Sequence, residues 1–291
     1  MVTETAPDNR ALRTARRERA LAQMRAHGLD MLVLGRQANV RYVTGVPQLW
    51  VAGTRPFAPI CVLDGATGEI HLNSTWDEGV PEEIGRERLY GLTWSPMKLI
   101  EVLKDIDGAR TVRRVGSDAI TPTFAELLPI AFPNAELVNA EPAMRAARRI
   151  KTPEELAAMG TAMSTAEGGM RAGIATLAPG VAEKTVAGAV LEAMAAGGVT
   201  TSASQDAAWV TSRHHPWQRA DGDGRVQLGD LVALSAGALA NGYVGEVGRT
   251  VFVGDNDTEA IRALYRRSDR LGERLIAACR PGAAATDLFA A

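Results

Sequence analysis

Gly229-Asp230-Leu231-Val232-Ala233-Leu234-Ser235 leads through Asn241-Gly242-Tyr243 to Glu246-Val247-Gly248-Arg249-Thr250-Val251-Phe252-Val253. Gly229-Asp230 reads as a turn, and the apolar run Leu231 to Leu234 after it reads as a strand. Asn241-Gly242 is a two-residue hairpin turn, because both residues tolerate the positive φ that a type I′ turn demands. Tyr243 to Val253 is the return strand. A free two-stranded hairpin is marginal in water. This one needs cover from the first half of the chain, from a second subunit or from a further segment.

Helices flank the hairpin. Thr152-Pro153-Glu154-Glu155 is a helix start: Thr152 caps, Pro153 suits the first helical position, and Glu155 reaches back as the capping-box acid. That helix runs to about Gly173. A second runs from Glu183 to Ala196 and stops at Gly197-Gly198. Ala208-Trp209-Val210 is strand-like. Glu259 to Cys279 is a long helix stopped by Pro281-Gly282, and Thr286 or Asp287 opens another. A helix start followed at once by Ala291 predicts a domain that is incomplete here.

The first half alternates strands and helices. Asn9 to His27 is helical, capped by Asp8 and ended by Gly28, with Leu12, Ala15, Leu21 and Met24 toward one face. Arg13, Arg16, Arg17 and Arg19 form a solvated basic face. Met31-Leu32-Val33-Leu34 is a buried strand. Pro59 to Leu63 and Glu69 to Leu72 form a hairpin across Asp64-Gly65. Ser95 to Leu103 is helical, Arg113 to Gly116 enters a strand, and Thr123 to Pro129 is a short helix. The pattern is that of a small α/β domain.

Composition narrows the function. The chain has 291 residues, 32 Lys+Arg against 34 Asp+Glu, and a net charge of −2. Near-neutrality predicts neither nucleic-acid nor membrane partners. No apolar run is long enough to span a bilayer. Two cysteines, Cys61 and Cys279, form neither a disulfide framework nor a zinc pattern. Cys61, inside a predicted buried strand, is read as inert. Met1 to Arg10 lacks a signal-peptide core, so a cytoplasmic location is expected. Asp221-Gly222-Asp223-Gly224 lacks the helices and distal Glu of an EF-hand.

Four stretches, in order, carry a resemblance to a known family. Asn39-Val40-Arg41-Tyr42-Val43-Thr44-Gly45 resembles an N-x-x-Y-x-T-G segment, with Arg55 ten positions after Gly45. Arg149-Ile150-Lys151-Thr152-Pro153-Glu154-Glu155 resembles a catalytic-domain entry, and Leu177-Ala178-Pro179-Gly180-Val181 resembles an L-x-P-G-V turn. The fourth is the hairpin itself. Together they resemble the creatinase/aminopeptidase P/prolidase superfamily. The resemblance implies an α/β creatinase N-terminal-like domain over 10–147 and an α+β pita-bread domain over 148–291, incomplete at the C-terminus.

The departures from that family bear on chemistry. Its first two metal-bridging aspartates correspond to Ser235 and Glu246 here, and Gly248 replaces a Thr before Arg249-Thr250. Three further ligands, a His and two Glu, would fall after Ala291. A neutral hydroxyl cannot bridge two dications as a carboxylate does, so no metal centre and no cofactor are expected. Ser235 is a lost ligand position rather than a nucleophile, since no nucleophile elbow surrounds it.

Creatinase, metal-free within this family, uses a His to hydrolyse a C–N bond. The resemblance points to His214 or His215 for that part, with a loop insertion at 220–224 absorbing the offset. Either acts as proton-transferring base, or both are plain loop residues. Glu246 is a carboxylate for a substrate amine or guanidinium, or else an ion-pair partner of Arg249. Tyr243, Arg249 and Arg55 complete the expected substrate-binding set. Arg249 also has a purely structural strand reading. The family further implies that Trp50, Arg55 and Tyr42 close a neighbouring subunit's pocket. The expectation is a metal-independent hydrolase of a small-molecule or peptide substrate, acting as a homodimer. The alternatives are a catalytically inactive binding protein and a truncated metallopeptidase.

Overall fold

The first helix, α1 (Arg10–Ala26), stops where Gly28 adopts φ +62°, and β1 (Met31–Leu34) follows. A computed structural model describes residues 10–46, 59–74, 79–91, 95–118, 121–199, 208–211, 224–254 and 258–290. After β1 come α2 (Gln37–Thr44), β2 (Cys61–Asp64), β3 (Ile70–Asn73) and β4 (Leu89–Tyr90). Then come α3 (Pro96–Lys104), β5 (Arg114–Ser117), α4 (Pro122–Ala131), β6 (Glu136–Asn139) and α5 (Glu141–Arg149). The remaining elements are α6 (Pro153–Ala175), α7 (Glu183–Ala196), β7 (Ala208–Thr211), β8 (Leu231–Ala240), β9 (Tyr243–Phe252), α8 (Glu259–Ala278) and α9 (Ala285–Ala290).

The chain divides into two compact units. One is Met1–Ala162 with Leu239–Gly245, and the other is Met163–Ala238 with Glu246–Ala291. The start of α6 and the hairpin tip thus group with the first unit, past residue 147. The cause is local: Glu155 and Arg16 both hydrogen-bond to Tyr243.

The first unit is built on a six-stranded sheet in the order β4-β3-β2-β1-β5-β6. β1 runs antiparallel to β2, with Met31 opposite Asp64, and parallel to β5, with Met31 opposite Val115. β1 is apolar throughout because helices cover both faces of the sheet. Leu32 and Leu34 pack with Met24 of α1, Tyr42 of α2 and Met144 of α5. Met31 and Val33 pack on the other side with Leu99, Ile100 and Leu103 of α3 and Leu128 of α4. The β2–β3 hairpin forms as expected, and Asp64 Oδ1 accepts from the N–H groups of Ala66 (2.7 Å) and Thr67 (2.8 Å) in its turn.

The buried stripe of α1 differs from the expected one. It runs Leu12, Arg16, Ala20, Met24, one residue every fourth position. Arg16 is therefore only 3% exposed, not part of a solvated basic face. Arg13 does reach the surface, where it holds Glu83 with two bonds of 2.8 and 3.2 Å. Four short elements, α2, β4, β6 and α5, have no counterpart in the sequence reading.

In the second unit the sheet order is β7-β8-β9. One apolar cluster joins Ala166 and Met170 of α6, Val186, Val190 and Met194 of α7, and Val232, Leu234, Ala236 and Ala238 of β8. Small residues bring α6 and α7 close: a Cβ at Gly173 would lie 2.6 Å from Val190 Cγ2. None of the described residues of α8 and α9 is buried.

Candidate functional site

The hairpin folds as its turn residues dictate. Asn241 (φ 52°) and Gly242 (φ 83°) take the two left-handed positions between β8 and β9. With a two-residue turn, uninterrupted pairing sets Ser235 opposite Gly248 and puts Glu246 on the same face. Ser235 is buried, at 8% exposure, and Glu246 is exposed. Arg249 is also exposed and donates to the carbonyl of Gly248 at 2.7 Å rather than to Glu246. Ser235 and Glu246 thus give this face a buried hydroxyl and an open carboxylate.

Tyr243 is placed differently. Its hydroxyl donates to Glu155 Oε1 (2.5 Å) and accepts from Arg16 Nε (2.9 Å). A second nitrogen of Arg16 donates to the carbonyl of Asn241 at 3.1 Å. The Arg16 guanidinium carbon lies 4.6 Å from the Tyr243 ring centre and 5.8 Å from that of Tyr42, within cation–π range. Burial, followed by the bond to Glu155, raises the Tyr243 hydroxyl above the ordinary tyrosine range. It remains a neutral donor at physiological pH.

Glu155 is fully buried, and its second oxygen accepts from the Thr152 N–H at 2.8 Å. Thr152 Oγ1 in turn accepts from the Glu155 N–H at 3.2 Å. This is the expected capping box, and it holds the carboxylate toward the hairpin tip. Tyr42, also buried, donates to the Ala147 carbonyl at 2.9 Å. Burial, then the Glu155 charge, pushes its hydroxyl up to about 12.

Around this cluster is a cavity of about 200 Å³ whose polar lining includes Arg16, Arg41, Arg148, Lys151, Glu155 and Tyr243. All of these residues belong to the first unit. Arg41 lies along the hairpin tip: a Cβ at Gly242 would sit 2.6 Å from its Cδ. Only a glycine at the turn leaves that room.

Of the residues singled out from sequence, Ser235, Glu246 and Arg249 lie on the hairpin strands in the second unit. Tyr243 belongs to the first unit, bonded to Arg16 and Glu155. His214, His215, Arg55, Trp50 and 221–223 lie outside the described residues. Cys61 is fully buried, and burial pushes its thiol far above the reactive range. Sequence reasoning missed Arg16 as a site residue. Its place four residues after Leu12 and four before Ala20 is the signal that would have found it.

Residues 16–150 match the creatinase/prolidase N-terminal domain, and 157–291 match metallopeptidase family M24. The chain belongs to the creatinase/aminopeptidase P/prolidase superfamily. It is 23% identical over 241 residues to an uncharacterized peptidase, YqhT, of Bacillus subtilis, covering 82% of this chain and 65% of that protein. It is 24% identical over 274 residues to an Xaa-Pro dipeptidase of Pyrococcus furiosus, covering 94% and 74%. To a creatinase of a Bacillus species it is 23% identical, covering 95% and 69%. The chain therefore spans about two thirds to three quarters of these relatives' lengths. Among solved structures, a prolidase of Pyrococcus horikoshii superposes with TM-score 0.69 at 19% identity, covering 89% of this chain and 71% of that one. An Xaa-Pro dipeptidase of Bacillus anthracis superposes with TM-score 0.72, covering 90% and 71%. These likenesses support the N-terminal creatinase-like domain and the pita-bread domain expected from the motifs.

The M24 family implies divalent metal, and the hairpin face tests it. A buried hydroxyl at Ser235 and a single carboxylate at Glu246 do not fit a pair of bridged dications. Among the described residues no three His, Cys, Asp or Glu side chains converge for a metal.

Proposed function

We propose that this protein is a pita-bread hydrolase that cleaves a C–N bond in a small amide, amidine or peptide without a dinuclear metal centre. The observation that carries this reading is the pair of hairpin positions, Ser235 and Glu246, in a chain otherwise like Xaa-Pro dipeptidases and creatinase. One carboxylate among neutral neighbours suits a cationic amine or guanidinium better than a metal pair. Glu246 takes the cationic end of the substrate.

His214 or His215 supplies the proton transfer. The imidazole takes a proton from water as the water oxygen bonds to the carbon. It then returns that proton to the departing nitrogen as the C–N bond breaks. Tyr243 positions the hairpin tip through Arg16 and Glu155. In this reading the protein is cytoplasmic and dimeric, which covers the hairpin. No described helix is long and apolar enough to cross a membrane.

The test joins metal analysis to turnover. Purified protein is expected to carry less than stoichiometric Mn, Co or Zn. It should lose hydrolysis of amidine or dipeptide substrates in His214→Ala or His215→Ala with unchanged circular dichroism. Stoichiometric metal supporting turnover would overturn the reading. Ligand-induced thermal stabilisation with no turnover would favour a binding protein instead.

A further inference from the structure

We propose that the basic cavity of the first unit is a binding site for a small phosphate-type dianion, free or as a monoester. Four cationic side chains, Arg16, Arg41, Arg148 and Lys151, line it against one carboxylate, Glu155. The lining therefore carries three formal positive charges in excess. Glu155, held by the Tyr243 hydroxyl and the Thr152 N–H, is the one negative charge in that lining.

Arg16 is held by the Tyr243 hydroxyl, the Asn241 carbonyl and two aromatic rings, and the other three cations are less well matched. Arg148 meets Glu141 at 3.5 Å, but Glu141 also pairs with Arg36 at 3.2 Å. Arg41 donates to the Val46 carbonyl at 3.3 Å, and Lys151 to the Arg148 carbonyl at 2.5 Å. Neither has a carboxylate partner among the described residues. Burial, then the Arg16 charge, lowers Arg41 below the ordinary arginine range. The guanidinium nevertheless stays charged at neutral pH. A concave site whose lining carries a surplus of one sign of charge concentrates counter-ions. An anion seated there relieves the Arg16–Arg41 repulsion and replaces lost hydration with charge-assisted hydrogen bonds.

Size and geometry favour the ligand class. A cavity of about 200 Å³ admits a tetrahedral oxyanion with a small substituent and excludes macromolecules. Planar guanidinium forks match the paired oxygens of a phosphate. A dianion neutralises more of the excess than a monocarboxylate does. Because Arg41 rests against Gly242, the bound anion would also brace the hairpin tip.

The experiment follows thermal unfolding and calorimetric binding of the whole chain. Inorganic phosphate, phenyl phosphate and acetate are compared with chloride at equal ionic strength and pH. The expected result is saturable stabilisation by the phosphates and none by acetate. Stronger binding of phenyl phosphate than of inorganic phosphate identifies a monoester site, and the reverse a free-ion site. Arg41→Met and Lys151→Met should each weaken phosphate binding by about ten-fold or more, the loss of one charge-assisted hydrogen bond. Circular dichroism checks folding, and Lys151→Met decides if Arg41→Met fails to fold. Phosphate no better than chloride, acetate equal to phosphate, or wild-type affinity in a folded variant would each overturn the assignment.

Discussion

The Tyr243 hydroxyl and the buried Glu155 carboxylate, 88 positions apart, meet at 2.5 Å at the first turn of α6. Removing the hydroxyl leaves a buried carboxylate oxygen and Arg16 Nε each short of a partner. An unsatisfied buried polar group costs about 1–3 kcal/mol. Tyr243→Phe is therefore expected to lower unfolding stability by about that amount in urea titrations. A variant with wild-type stability would show that the bond contributes nothing.

His71 reports on pH. It lies on β3 opposite Val62, and burial, then the Arg88 charge, holds its imidazole below the ordinary value of 6.5. The folded state thus resists protonation more than the unfolded state does. The resulting stability is full above pH 6.5 and is lost as pH falls through the lower folded value. His71→Gln should remove this contribution to the slope, read as a smaller stability loss between neutral and mildly acidic pH.

Two glycines of α6 should respond with opposite signs. A Cβ at Gly173 would press on Val190 at 2.6 Å, whereas a Cβ at Gly168 meets nothing within 4 Å. Gly168→Ala should stabilise by up to about 1 kcal/mol through helix propensity. Gly173→Ala should destabilise, since overpacking costs about 1–3 kcal/mol and outweighs that gain. Chemical denaturation of both variants measures the difference.

Ser235→Asp tests the hairpin face directly. It buries a second carboxylate near Glu246, which costs stability unless a cation answers it. The variant should melt below the wild type and recover part of the difference in millimolar Mn²⁺. The wild-type melting temperature should not move with Mn²⁺.

The amino-acid order alone was enough for whatever depends on neighbours in the chain. The all-apolar Met31–Leu34 strand, the Asn241-Gly242 turn and the Thr152–Glu155 capping box are set by spacing and intrinsic backbone preference. The family motifs follow the same order. Partners far apart in the chain were decided only on folding. Arg16, Glu155 and Tyr243 converge because the stripe of α1, the first turn of α6 and the hairpin tip pack into one unit. An arginine is ordinarily solvated. Only a tertiary arrangement that supplies a hydroxyl, a carbonyl and two aromatic faces could bury this one and gather further cations around the same cavity.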